Sequence, residues 1–230
     1  MTNDLKVYGA IPQFIAVMSY FPGYSYGNQK TILAYNPRAK LLKTYDGWKI
    51  YDRLVDRGAK GIPLTVPYGM ERADKKDAGF KKKFYFDITQ TSRKNRFARI
   101  VNEEPYRLRD NDFYRQLAEI FSSNPDYFVD QVFEGDPFLE TAYNAAAARF
   151  REDYPRACTE TGRFLSMTTA AAVMKHYGRE NAQATCVAED LGRKLRRKED
   201  ADALTDYLRT VSGAVNGMID ETDYLLGQQA

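Results

Sequence analysis

An α+β fold is what the sequence predicts: a small N-terminal domain of helices plus an antiparallel β-ribbon, followed by an all-helical C-terminal domain. Three observations predict it. Over residues 62–67 and again over 83–88 apolar and other residues alternate with a period of two, the pattern of half-buried strands. On either side of these segments apolar residues recur at three- and four-residue intervals. Asn124-Pro125 and Asp136-Pro137 each set a capping residue before a proline, which opens a helix because the proline lacks only an N–H that would have had no partner there. The charge also changes sign along the chain. Residues 1–109 hold 21 Lys and Arg against 10 Asp and Glu, while residues 110–230 hold 13 against 21. A boundary is therefore expected near residue 105, between a basic domain, 1–105, and an acidic helical domain, 106–230.

Taken in order, Ile11, Phe14, Ile15 and Met18 share one helical face, with Pro12 at the start and Phe21-Pro22-Gly23 as the stop. A short helix is expected over 28–35, with Asn28 as N-cap, Ile32 and Leu33 turned inward and Asn36-Pro37 closing it. After a basic connector, Thr44 or Asp46 can cap a further helix in which Trp48, Tyr51, Leu54 and Val55 share a face and which Gly58 ends. Ile62, Leu64 and Val66 then alternate with Pro63, Thr65 and Pro67, and Phe84, Phe86 and Ile88 alternate with Lys83, Tyr85 and Asp87. The apolar sets are expected to face the helices, so that Lys81, Lys83 and Tyr85 point outward. Pro63 and Pro67 place the first of these strands at an edge, because proline has no N–H to give a ladder. Helices are expected near 111–122, 125–134, 137–152, 159–176, 180–197 and 200–226.

Cys158 and Cys186 lie far apart without metal-ligand spacing, which predicts neither a disulfide framework nor a zinc knuckle and suits a reducing compartment. No apolar run approaches the ~20 residues that a bilayer span requires, and the N-terminus lacks a charged-then-apolar pattern, so a cytoplasmic protein with no membrane partner is expected.

Four motifs in order, Tyr24-Ser-Tyr-Gly-Asn-Gln29, the helix around Trp48, Arg57-Gly-Ala-Lys-Gly-Ile62 and Phe86-Asp-Ile-Thr-Gln-Thr91, carry a resemblance. Over residues 11–92 the chain resembles the N-terminal single-stranded-DNA-binding domain of ArdC-type antirestriction proteins, which also begins large proteins of conjugative elements. In that family a metalloprotease-like domain with an HExxH helix commonly follows. This chain has one histidine, His176, so two histidine ligands one helical turn apart cannot be supplied. The resemblance thus implies the binding half of the family without its hydrolytic half.

Single strands are held by cationic grooves that follow the phosphates and by aromatic rings on which bases stack. The candidates for such a groove are Tyr24, Tyr26, Asn28, Gln29, Lys30, Trp48, Arg53, Arg57, Lys60, Lys81, Lys83, Tyr85, Gln90 and Arg93. Gly58 and Gly61 flank Lys60 and would let its ammonium and nearby amides meet one phosphate. Each candidate has a plainer reading. The tyrosines suit partial burial, the spacing of Trp48 suits the core, Asn28 suits a helix cap, Gln29 and Gln90 suit loop closure, and a lysine run suits a strand edge that discourages pairing. Asp87 suits the orientation of Arg57 or Lys60. No phosphate loop, nucleophile elbow or histidine array is present, and Asp87, Glu103 and Glu104 have no spacing that calls for Mg²⁺.

By what the resemblance implies, the expected function is that of a single-stranded-DNA-binding antirestriction or anti-defence protein of a phage, plasmid or conjugative element. It would act by stoichiometric binding, with no cofactor and no catalysis. The alternative is an inhibitor whose acidic helical half occupies a basic surface of a host defence effector protein.

Overall fold

The computed structural model describes residues 4–68, 79–94, 136–150 and 159–229. The architecture is α+β. The described N-terminal elements are α1 (Asp4–Val7), α2 (Ile11–Tyr20), α3 (Tyr26–Tyr35), β1 (Leu42–Thr44), α4 (Tyr45–Lys49), β2 (Arg53–Val55), β3 (Ile62–Tyr68), β4 (Gly79–Asp87) and β5 (Thr91–Arg93). Then come α5 (Pro137–Arg149), α6 (Glu160–His176), α7 (Ala182–Lys198) and α8 (Ala201–Gln229).

Helix α2 is the centre of the packing. Ile11, Phe14, Ile15, Val17, Met18 and Ser19 are all buried, so apolar contact surrounds most of the helix, as befits one enclosed by other elements. It packs on α3 and on α6, α7 and α8. A single cluster of buried apolar residues consequently runs from Val7 through Phe164, Val173 and Leu191 to Ile219. Hydrogen bonds join the same elements: the Tyr8 hydroxyl donates to the Leu204 carbonyl at 2.8 Å, and Ser212 Oγ donates to Gln29 Oε1 at 2.8 Å. Residue 105, the expected boundary, lies outside the described residues, as do the helices expected over 111–122 and 125–134. The helices expected after residue 136 are present. Asp136 caps α5 through the Phe138 and Leu139 N–H groups, Thr159 caps α6 and Asn181 caps α7.

Two expectations for the N-terminal helices are corrected. The second helix starts at Tyr26 with Ser25 as its cap, not at Asn28. The helix expected to carry Trp48, Tyr51, Leu54 and Val55 on one face ends at Lys49. Asp52, at φ 52°, turns the backbone left-handed, and Arg53–Val55 leaves as a strand paired with Thr91–Arg93. Leu54 is accordingly 45% exposed. Gly58, at φ 85°, belongs to the turn after that strand and not to a helix end.

The three-stranded sheet has the order β1-β4-β3 and is antiparallel throughout, with β3 at the edge that its prolines require. Its register corrects the expected facing of β4. Ile62 lies opposite Tyr85 and Leu64 opposite Lys83, and directly opposed residues share a face. Ile62 and Leu64 are buried towards α3, so Tyr85, Lys83 and Lys81 belong to that inner face. Phe80, Lys82, Phe84 and Phe86 take the outer one.

Candidate nucleic-acid interface

The segment Phe80-Lys-Lys-Lys-Phe84 forms most of β4. Residues two apart in a strand stand about 7 Å from each other on one face. Phe80, Lys82 and Phe84 therefore make a row of ring, ammonium and ring, opposite Pro67, Thr65 and Pro63 of β3. Phe80 is 69% exposed and Phe84 58%. Lys81, Lys82 and Lys83 are exposed, and none of them is ion-paired among the described residues. Phe84 is seated by Gly61: a Cβ there would stand 3.0 Å from Phe84 Cβ and 3.1 Å from Phe86 Cζ. The absence of that Cβ lets the aromatic side chains lie against the backbone at Gly61, just before β3. Lys60 and Arg57, in the turn that precedes β3, are also exposed.

The residues expected to form the site divide into three groups. The first is absorbed by the fold. Trp48 is fully buried and donates its indole N–H to the Phe86 carbonyl at 2.8 Å. Gln29 is also fully buried, donating to the Phe21 carbonyl at 3.0 Å and accepting from Ser212. Asn28 neither caps its helix nor faces solvent: its Nδ2 donates to the Thr65 carbonyl at 2.8 Å and its Oδ1 accepts the Thr65 N–H at 2.9 Å. It acts there as a one-residue substitute for a neighbouring strand. Arg53 is held on Thr91, its Nε 2.7 Å from Oγ1 and its Nη2 2.9 Å from the carbonyl. Gln90 closes a loop, accepting the Asp87 N–H at 2.9 Å and donating to the Lys60 carbonyl at 3.0 Å.

Asp87 also belongs here. It is fully buried and orients backbone instead of Arg57 or Lys60. Its Oδ1 accepts the N–H groups of Lys40 and Leu41 at 2.8 and 3.1 Å, and its Oδ2 accepts from the Thr89 N–H and Oγ1 at 3.0 and 2.6 Å. Both carboxylate oxygens are thus occupied by donors. Glu103 and Glu104 lie outside the described residues, among which no three His, Cys, Asp or Glu side chains are grouped as metal ligands would be.

The second group lies on the inner face and the neighbouring helix. Tyr24 stands edge-on to Tyr85 with ring centroids 6.4 Å apart, and edge-on to Phe21 at 5.8 Å. Burial pushes the Tyr24 hydroxyl above its ordinary pKa, with the Tyr85 hydroxyl adding to the effect. Tyr26 meets Phe14 edge-on, and Lys30 Nζ lies 5.1 Å from the Tyr26 ring centroid. Lys81 Nζ lies 5.4 Å from the Tyr68 ring in the same manner. The third group, Arg57, Lys60, Lys83 and Arg93, is exposed and basic.

Sequence reasoning missed Phe80, Lys82 and Phe84. The available signal was their spacing. Residues four apart in a strand share a face whichever way that face turns, so the two rings had to stand together on one side.

No family model matches the chain, and no curated protein or solved structure matches it either.

Proposed function

We propose that the outer face of the β3–β4 ribbon binds single-stranded nucleic acid, with Phe80 and Phe84 as stacking platforms and the lysines of β4 against phosphates. One observation carries this reading: two phenylalanines stand open to solvent on one face with a lysine between them. Covering such a ring contributes about 1.5–3 kcal/mol, so a pair left open favours a partner that covers both. The lysines select the partner's chemistry. A second copy of the ribbon would bring its own Lys81, Lys82 and Lys83 against the first set, which disfavours self-association. A single strand offers both a phosphate chain and flat bases. Addition of a peptide strand to the free side of β3 is obstructed at Thr65, whose N–H and carbonyl are already taken by Asn28.

The wider role is stoichiometric protection or interference, without turnover, on behalf of a phage, plasmid or conjugative element; what supports it is the resemblance at residues 24–29, 57–62 and 86–91. The alternative, an acidic helical half directed at a defence effector, draws on the excess of Asp and Glu over Lys and Arg in residues 110–230; in the last turns of α7, Arg193, Lys194 and Lys198 are paired with Glu189, Asp190 and Glu160.

The test is fluorescence anisotropy of a labelled oligonucleotide across a salt series, beside duplex and RNA controls. Micromolar or tighter binding with a steep negative salt slope and a preference for single strands is expected. The pair Phe80→Ala and Phe84→Ala should weaken binding at every salt concentration, by about 1–3 kcal/mol per lost base contact. Lys82→Gln should lower the salt slope by about one unit. Absence of binding at low salt, or unchanged affinity in the double phenylalanine variant, sinks the reading.

A further inference from the structure

β1 pairs with Tyr85, Phe86 and Asp87 of β4 and with nothing before them, because Thr44 caps α4 and the chain turns into a helix at Tyr45. From Gly79 to Phe84, therefore, β4 has a neighbouring strand on its β3 side alone among the described residues. A ligand lying along that open side can reach both faces of the strand. The outer one offers Phe80, Lys82 and Phe84. The inner one offers Lys83 and then Tyr85, whose ring meets Tyr24 at 90°. Both tyrosines are half-buried and packed against the core, so their rings are held in place before any ligand arrives.

We infer that Tyr85 and Tyr24 form a second stacking station, and that one nucleic-acid strand crosses the open side of β4 to occupy both faces. The inference rests on the binding function proposed above and adds the path and the length requirement. Lys82 and Lys83, consecutive and therefore on opposite faces, hold phosphates on either side of the crossing. A duplex cannot follow this path, since its bases are paired with one another and cannot be divided between two sides of a strand. Very short oligonucleotides reach one station only.

The experiment is a length series of roughly 4 to 16 nucleotides, the span of known single-strand footprints, measured by anisotropy. It is paired with photo-crosslinking of a 5-iodouracil oligonucleotide to the wild-type protein and mass-spectrometric mapping of the adducts. Affinity should rise with length in two stages, Tyr85→Leu should lose the second stage while short oligonucleotides bind as before, and adducts should fall on both faces of β4. Tyr85→Phe, which keeps the ring, should retain both stages. Should Tyr85→Leu fail to fold, the adduct map on wild-type protein decides. Adducts confined to Phe80 and Phe84, or a length series unchanged by Tyr85→Leu, overturn the second station and leave the first. If the Phe80→Ala, Phe84→Ala variant binds like wild type, the binding function itself fails.

Discussion

His176 shows how a single residue can join two parts of the chain. Its Nδ1 lies 2.7 Å from the Ser19 carbonyl, which can only accept, so the ring proton sits on Nδ1 and ties the end of α6 to α2. Burial lowers the pKa of His176, against smaller opposing effects of the Ser19 bond and of Asp223. The unfolded chain therefore takes up a proton at pH values where the folded ring still refuses one. It follows that the His176 contribution is complete above its ordinary pKa of 6.5 and is lost progressively as pH falls below that, until the folded ring itself titrates. As this is the only histidine in the chain, a urea midpoint that declines between about pH 7 and pH 5.5 reports on it. His176→Gln, which keeps a donor for Ser19, should flatten that decline. An equal decline in the variant would tell against the assignment. Gln29 and Asp87 teach the same lesson at this scale: a polar side chain inside a motif can serve the fold so completely that nothing of it remains for a ligand.

Among the elements, β4 and its neighbours determine where a ligand can lie. Among the described residues the ribbon has one margin without a strand neighbour beside β3 and another beside the first half of β4, and the two are treated differently. Asn28 closes the first with paired hydrogen bonds to Thr65. The second carries three exposed lysines, which discourage another strand from adding there. Asn28→Ala should cost about 1–3 kcal/mol in urea unfolding, since it strands a partly buried donor and acceptor together, and it should leave the charge of the binding face unchanged. Wild-type stability in that variant would mean that water replaces the clip without loss. The short helix α4 is equally informative. The apolar spacing of Trp48, Tyr51, Leu54 and Val55 suits a helix, yet pairing with Thr91–Arg93 claims the second half of the segment for a strand. Tertiary pairing overrides a local pattern when the pattern is only about two turns long.

For the whole molecule, the central position of α2 has the largest consequence. Its buried residues are covered jointly by α3 and by α6, α7 and α8, so the basic N-terminal elements and the C-terminal helices share one apolar cluster. A fragment ending at residue 94 would leave Ile11, Phe14, Ile15 and Met18 without much of their cover. It should lack a cooperative thermal transition by circular dichroism and should aggregate, whereas the full chain should melt cooperatively. A cooperative melt of the fragment would show that α3 and the sheet suffice to cover α2. Among the described residues no helix is long and apolar enough to cross a membrane.

The sequence by itself determined the α+β class, the span of α2, the helices after residue 136 with the Asp136 start, and the edge position of β3. Each of these follows from periodicity, capping or the missing N–H of proline, which act over a few residues. Only the tertiary structure decided which face of β4 meets the core. Both faces carry aromatic residues, Phe80, Phe84 and Phe86 on one and Tyr85 on the other, so alternation alone leaves two registers of similar apparent quality. A one-residue slip exchanges every side chain between core and solvent. Pairing Ile62 with Tyr85 settles the choice and puts Phe80 and Phe84 in water. The fates of Asn28 and Gln29 were hidden for the same reason: their partners, Thr65 and Ser212, lie 37 and 183 residues away, beyond the reach of any local pattern.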